Sequence, residues 1–216
     1  MKKPHVEILQ NEFKKLVELE KFDLAENLLT GQDIFDPLVK SYNFALLKYK
    51  QNDLAGAHIE LMKSFKGGLY HTDGKVLKEK IEQQLGLSPV VNSYSMVDTA
   101  LLKGSILGDV FFINVTLILI GVSLLLALFK KKIFSFLLLL TGLSVGAFAF
   151  VLGGTNYGII KSEEPIWDGP SKIFEQIQLA PAGAELIYEQ KKKDWVYVSY
   201  PESLRGWIYQ GKIEKL

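Results

Sequence analysis

The chain has 216 residues, a formal net charge of +1, no cysteine and only three histidines. A charge so close to zero excludes the broad basic surface that is typical of nucleic-acid-binding proteins. The absence of cysteine excludes disulfides, thiol catalysis and thiolate metal sites. The histidines lie far apart in sequence and show no metal-ligand spacing, so we expect no metal and no other cofactor.

Charged residues are distributed unevenly along the chain. They are dense to about residue 87, nearly absent between residues 110 and 160 apart from one lysine cluster, and dense again afterwards. This pattern predicts a helical domain over 1–87 and a linker with a short amphipathic segment over 88–109. A transmembrane helical hairpin over 110–160 and a small β domain over 161–216 complete the predicted architecture.

The first domain shows helical periodicity with clear start and stop signals. Apolar residues recur at helical spacing through the first thirty positions. Asp36-Pro37 and Asp53 predict helix N-termini, and Gly67-Gly68 predicts a C-terminus. Thr72 or Asp73 is the expected cap of a last helix that ends near Gly86.

One stretch of this domain resembles a tetratricopeptide repeat. The residues that carry the resemblance are Tyr42-Asn43-Phe44-Ala45, Tyr49-Lys50, Asn52-Asp53, Ala57, Leu61 and Phe65. A degenerate copy precedes it, with Phe13, Leu16, Phe22, Ala25 and Pro37. The resemblance implies about two repeats and a closing helix, with Ala45 and Ala57 where paired helices cross.

Repeats of this family bind partners in a concave groove. The candidate groove residues are Asn11, Tyr42, Asn43, Leu46 and Tyr49. Alternatively, Leu46 and one of the tyrosines belong to the core, and a purely structural role for two repeats stays open. His58 and His71 are expected at the solvated surface.

Two apolar segments follow the linker. Val110 to Phe129 contains no charge and matches the roughly 20 residues that span a hydrocarbon core. Ile133 to Ile160 is also uncharged; its membrane part should end near Leu152, with Tyr157 as an interfacial anchor. Two buried helices of a soluble protein are the alternative, but such helices would show one polar face.

Lys130, Lys131 and Lys132 connect the two apolar segments. Because positive residues near membrane ends stay cytoplasmic, the lysine turn predicts a two-pass protein of the bacterial inner membrane with both soluble domains outside the cytoplasm. No signal peptide is recognisable at the start of the sequence. Either a signal is missing from it, or the charge rule does not apply here.

The second apolar segment contains Gly142 and Gly146, four residues apart. Small residues at this spacing let helix backbones approach closely. They predict packing within the hairpin or, alternatively, dimerisation through this face.

The last segment changes to short runs of β-branched and aromatic residues between turns. Strands are expected at 185–190, 195–200 and from Gly206, with a last strand at 212–216 that closes a barrel. The Pro181-Ala182-Gly183 turn, Asp194-Trp195-Val196-Tyr197-Val198 and Gly206-Trp207-Ile208 resemble a bacterial SH3-like domain. The segment 200–205 departs from the shorter glycine-rich turn common in that family.

Domains of this kind often bind peptides or cell-wall components. The resemblance implies a ligand groove that contains Trp167, Tyr188, Trp207 and Tyr209. The alternative is that these aromatic residues fill the core of a small barrel.

No catalytic motif is recognisable, so the sequence predicts a protein that is not an enzyme. The order of its parts resembles the Bat (Bacteroides aerotolerance) membrane proteins of the BatE type. That resemblance implies a role in oxidative-stress tolerance, with sister proteins that carry von Willebrand A domains and a MoxR-type ATPase as partners. We therefore expect a membrane-lipid-anchored envelope scaffold. The alternative is a sensor that binds peptidoglycan or peptides through the SH3-like domain.

Overall fold

The computed structural model describes residues 3–31, 35–128 and 132–216. This part of the chain contains nine α-helices and one antiparallel β-sheet, and two of the helices are long and apolar. Lys130 and Lys131 of the predicted lysine turn lie outside the described residues. Lys132 is the first residue of the second apolar helix, and its side chain is exposed.

Five helices form the N-terminal unit. They are α1 (Lys3–Glu18), α2 (Phe22–Thr30), α3 (Pro37–Lys50), α4 (Leu54–Lys66) and α5 (Thr72–Gln84). Two predicted caps are confirmed, because the Asp36 carboxylate accepts a hydrogen bond from Leu38 N and the Asp53 carboxylate accepts one from Gly56 N. The predicted cap of the last helix was wrong. His71 holds that position, and its Nδ1 accepts a hydrogen bond from Gly74 N.

The crossing of α3 and α4 depends on small side chains. Ala45 and Ala57 are both fully buried in the same cluster of apolar residues. Helix backbones can approach only where side chains are short, so these alanines set the distance between the two helices.

Ala45→Trp is expected to lower the free energy of unfolding by about 1–3 kcal/mol or more, because the indole has no space at this crossing. Thermal unfolding of the full chain in detergent, followed by circular dichroism, measures the change. Lys50→Trp places the same side chain at an exposed position of α3 and is the matched control. Equal midpoints for the two variants would mean that the crossing lies elsewhere.

The segment predicted as a linker contains two further helices, α6 (Ser88–Asn92) and α7 (Met96–Leu107). At the start of α7, Ser95 Oγ accepts a hydrogen bond from Asp98 N and Asp98 Oδ2 accepts one from Ser95 N. This reciprocal capping box fixes the first turn. Helix α7 contacts α4, the sheet and both long apolar helices, so it joins all three parts of the protein by packing.

The long apolar helices are α8 (Asp109–Leu128) and α9 (Lys132–Gly153). Their apolar stretches of 19 and 22 residues are long enough to cross a membrane. Few of their side chains are buried within the protein, unlike those of core helices in a soluble protein.

The two helices pack against each other as an antiparallel pair. Near the turn, Ser123 Oγ donates to Ser135 O over 2.7 Å and Ser135 Oγ donates to Ser123 O over 2.8 Å. A Cβ atom on Gly142 would lie 3.3 Å from Leu119 Cβ, and one on Gly146 would lie 3.2 Å from a Thr116 methyl carbon. Both glycines therefore face α8. This arrangement agrees with the predicted packing within the hairpin.

Seven strands form the C-terminal unit. They are β1 (Asn156–Ile160), β2 (Glu164–Trp167), β3 (Gln176–Ala180), β4 (Glu185–Lys192), β5 (Trp195–Tyr200), β6 (Gly206–Tyr209) and β7 (Ile213–Lys215). The sheet has the antiparallel order β3-β2-β6-β5-β4-β1-β7. The predicted strand 195–200 is confirmed as β5.

Two predictions for this unit need correction. The last strand does not close a barrel, since in the described sheet β7 pairs with β1 and β3 forms the opposite edge. Tyr157 is not an interfacial anchor. It lies in β1, opposite Ile187 of β4, and only 3% of its surface is exposed. The uncharged run from Asn156 to Ile160 is apolar because it is a buried central strand.

Candidate functional site

The helical unit and the sheet pack directly against each other. His58 Nδ1 of α4 lies 2.9 Å from Gly183 O, just before β4. Lys63 Nζ of α4 lies 3.2 Å from Glu214 Oε1 of β7. These contacts, together with a shared apolar cluster, make the two soluble units one body.

Glu185, the first residue of β4, lies at the centre of this junction and is buried. Its Oε1 is 2.7 Å from Lys78 Nζ and 3.4 Å from His58 Nε2. Its Oε2 accepts a hydrogen bond of 2.9 Å from the Tyr157 hydroxyl. Lys78 Nζ is also 2.7 Å from Glu82 Oε1, one turn further along α5. We call these five residues the junction network.

Burial and ion pairing act in opposite directions on the charges of the network. Burial alone would raise the pKa of the Glu185 carboxyl, but the Lys78 ammonium and His58 hold that pKa well below its usual range. Burial would lower the pKa of Lys78, and the two carboxylates raise it instead. Burial, together with the negative charge of Glu185, raises the pKa of Tyr157. At neutral pH the network therefore contains an ionised Glu185 and a protonated Lys78.

The turn before β4 places Glu185 against the helices. Gly183 has a φ of +81°, a backbone conformation that strongly favours glycine. A Cβ atom there would lie 2.5 Å from a Leu85 methyl carbon and 3.4 Å from His58 Nδ1. Glycine thus allows the carbonyl of this turn to approach the His58 ring.

The prediction that His58 lies at the solvated surface was wrong, because the residue is fully buried. The sequence of α4 contained a pattern that indicates this burial. Ile59 and Met62, which are also buried, extend the apolar surface of this helix beyond the face of Ala57 and Leu61. A helix that is apolar on two faces is covered on two sides, here by helices and by the sheet.

The junction network also groups potential metal ligands. His58, Glu82 and Glu185 offer ligand atoms that lie within 4.8 Å of one another. However, the Lys78 ammonium lies 2.7 Å from a carboxylate oxygen of both glutamates, so it holds the position that a cation would take. The arrangement fits a buried ion-pair network better than a metal centre.

A cavity of about 210 Å³ adjoins the network. Its lining includes Lys78, Glu82, Tyr94, Thr99 and Lys103. It has room for several water molecules near the charged groups.

The predicted groove residues of the helical unit do not form one open surface. Asn11 is exposed on α1, whereas Asn43 of α3 is buried. Tyr42, Leu46 and Tyr49 are half-buried. Tyr42 contacts His71 edge-on at 4.6 Å between ring centres, and Tyr49 Oη accepts a hydrogen bond of 3.2 Å from Gln84 Nε2. Helix α5 and the turn before it thus cover much of this face of α3.

The sheet, by contrast, presents a row of aromatic rings. Trp195 of β5 lies opposite Tyr209 of β6, and Tyr197 lies opposite Trp207. Ring centres are 6.0 Å apart in the first pair and 5.4 Å apart in the second, and Trp167 lies 6.5 Å from Trp195. We call these five residues the aromatic face.

Three of the four predicted ligand residues of the sheet, Trp167, Trp207 and Tyr209, belong to the aromatic face. The fourth, Tyr188, is buried in the core beneath the sheet. Sequence reasoning missed Trp195 and Tyr197. The inward alternation of Val196 and Val198 was the signal that could have placed them on the outer face.

A pocket of about 530 Å³ adjoins the aromatic face. It is lined by Glu164, Ser171, Lys172, Trp195, Tyr209 and Lys212. Lys212 Nζ lies 3.8 Å from Glu164 Oε2, so one of the lysines has an acidic neighbour. Flat aromatic walls beside ammonium groups suit a ligand that combines a ring or apolar body with a negative charge.

Comparisons with family models, with curated proteins and with solved structures find no match for this chain.

Proposed function

We propose that the protein is a membrane-anchored scaffold of the bacterial cell envelope that docks partner proteins in a Bat-type oxidative-stress complex, without catalysis of its own. The observation that supports this proposal is the arrangement of its parts. The helical unit and the sheet form one body at one end of the apolar hairpin, and this body presents the aromatic face. A rigid platform loses little conformational entropy when a partner binds.

We also propose the finer assignments of the two soluble units. The α1–α2 and α3–α4 pairs are taken as tetratricopeptide-like repeats, supported by the fully buried alanines at the α3–α4 crossing. The antiparallel sheet is taken as a variant of the bacterial SH3-like domain, in which β3 and β7 remain edges. The sister proteins with von Willebrand A domains and the MoxR-type ATPase are the proposed partners.

In the proposed topology, α8 and α9 cross the inner membrane and the lysine turn is cytoplasmic. Single cysteines at positions 20 and 190 should then react with an impermeant maleimide from outside the cytoplasm, whereas one at position 131 should react only after lysis. The chain has no native cysteine, so each label reports one site. Labelling of position 131 from outside, with positions 20 and 190 protected, would show that the orientation is the opposite of the one proposed.

Docking is assigned to the aromatic face because clustered aromatic side chains are frequent energetic centres of interfaces; Tyr209 is exposed, and the other four residues of the face are half-buried. A photoreactive amino acid at position 209 should give a discrete protein adduct in native membranes. Tyr209→Ala should weaken the same complex by about 2 kcal/mol, which is typical of an interface hot spot. Tyr70, an exposed tyrosine of the helical unit, provides the matched control for both measurements. Equal adduct yields at positions 209 and 70 would exclude the face as the docking surface.

A second candidate function is a sensor that binds peptidoglycan or peptides, and the pocket beside Trp195 and Tyr209 favours it. Purified protein mixed with isolated peptidoglycan should then sediment with it, and Trp195→Ala should abolish sedimentation. Protein adducts at position 209 without binding to peptidoglycan would support the scaffold. The opposite pair of results would support the sensor.

A further inference from the structure

Helix α7 has an apolar stripe that nothing in the described chain covers. Met96, Val97, Ala100, Lys103 and Leu107 recur at helical spacing, and all five are exposed. Met96 is 93% exposed and Val97 is 57% exposed. The opposite face of α7, with Leu101 and Leu102, is buried against the protein. The helix is therefore apolar on both sides, which is unusual beside water.

The position of α7 along the hairpin is fixed by a close contact with α9. A Cβ atom on Gly104 would lie 2.9 Å from Phe148 Cε1 and 3.1 Å from Leu152 Cδ1. Phe148 lies five residues before the end of α9 at Gly153, about 7 Å along the helix axis. Helix α7 thus packs beside the last turns of an apolar helix, and Gly108 alone separates it from α8.

We infer that α7 is an interfacial helix whose exposed stripe rests in the lipid bilayer, between the acyl chains and the headgroups. This inference rests on the proposed membrane crossing of α8 and α9. Lipid is the occupant that the geometry favours, because the exposed Ala100 and Leu107 lie one turn before and after Gly104, which packs against the last turns of the apolar helix α9. The stripe contains one charged residue, Lys103, which also borders the cavity beside the junction network.

Single-cysteine variants of the full chain, labelled with an environment-sensitive fluorophore, test the inference. The protein is reconstituted in vesicles of phosphatidylcholine and phosphatidylglycerol. Val97→Cys and Ala100→Cys probe the stripe. Val76→Cys, at a similarly exposed valine of α5, is the aqueous control. Leu124→Cys, at an exposed position of α8, is the lipid control.

Labels at positions 97 and 100 should emit at shorter wavelength than the label at position 76. Spin-labelled lipid should also quench them more strongly than it quenches the label at position 76, because an interfacial helix lies at the depth of the headgroups and upper acyl chains. If the labels at 97 and 100 match the one at 76 and are quenched by aqueous iodide, while the label at 124 is in lipid, the interfacial position of α7 is wrong. If the label at 124 is itself aqueous, the proposed membrane crossing fails and the inference fails with it.

Discussion

Glu185→Ala is expected to destabilise the protein by about 3–5 kcal/mol, the loss typical of removing one partner from a buried ion pair. The substitution removes the carboxylate that contacts Lys78 and His58 and that accepts the hydrogen bond of Tyr157. It leaves a buried hydroxyl without its acceptor and a half-buried ammonium with only Glu82. Chemical unfolding of the full chain in detergent measures the change.

The matched control is Glu189→Ala on the same strand, because the Glu189 side chain is exposed. It should change the free energy of unfolding by about 0.5 kcal/mol at most. Glu185→Gln keeps the shape and the acceptor for Tyr157 but loses the charge, so its stability should lie between those of Glu185→Ala and the native chain. Similar losses for Glu185→Ala and Glu189→Ala would show that the junction network contributes little.

Lys78→Met is expected to reverse the dependence of stability on pH. In the native chain the pKa of Glu185 is lower when folded than when unfolded. Its contribution is therefore present above the unfolded pKa and is lost as the pH falls towards the folded value. Without the ammonium, only His58 at 3.4 Å and the Tyr157 hydroxyl still favour the charged carboxylate, and we expect burial to outweigh them and to raise the pKa of the folded carboxyl. The variant should then lose stability as the pH rises through that raised value.

At neutral pH, Lys78→Met should cost about 3–5 kcal/mol, because it leaves a buried carboxylate without its cation. Part of this loss should be recovered near pH 5. Unfolding curves of both proteins across this range measure the two slopes. Lys80→Met, at an exposed position of the same helix, should keep the native slope. A parallel pH dependence in Lys78→Met would mean that Lys78 does not control the charge of Glu185.

The sequence predicted the features that depend on neighbouring residues. Asp36 and Asp53 cap their helices through contacts two or three positions away, and the strand at 195–200 shows its alternation locally. The two long apolar helices follow from composition alone. The junction network was not predictable in this way. His58 and Gly183 are 125 positions apart in sequence. The residue type alone also does not show whether a charged side chain is buried or solvated.

The same distinction between local and long-range contacts applies to the candidate binding residues. Trp207 and Tyr209 are on the outer face of the sheet, as strand alternation allows. Tyr42 and Tyr49 are on the expected helix, but the segment from His71 to Gln84 packs on them, and no local pattern reveals that packing. Periodicity identifies the apolar face of a helix without saying whether a ligand or another helix lies against it.

The 125 positions between His58 and Gly183 also have a consequence for biosynthesis. A ribosome that adds about 5–20 residues per second needs roughly 6–25 s to make that stretch. Once Lys78 and Glu82 have been made, they exist for most of this interval without the β4 carboxylate, while α8 and α9 are still being synthesised. The nascent helical unit therefore exposes the residues that later contact the sheet, and they are covered only when the sheet has been made and has packed on them. Chains that stall or are cut before β4 should be preferred substrates for quality-control proteases.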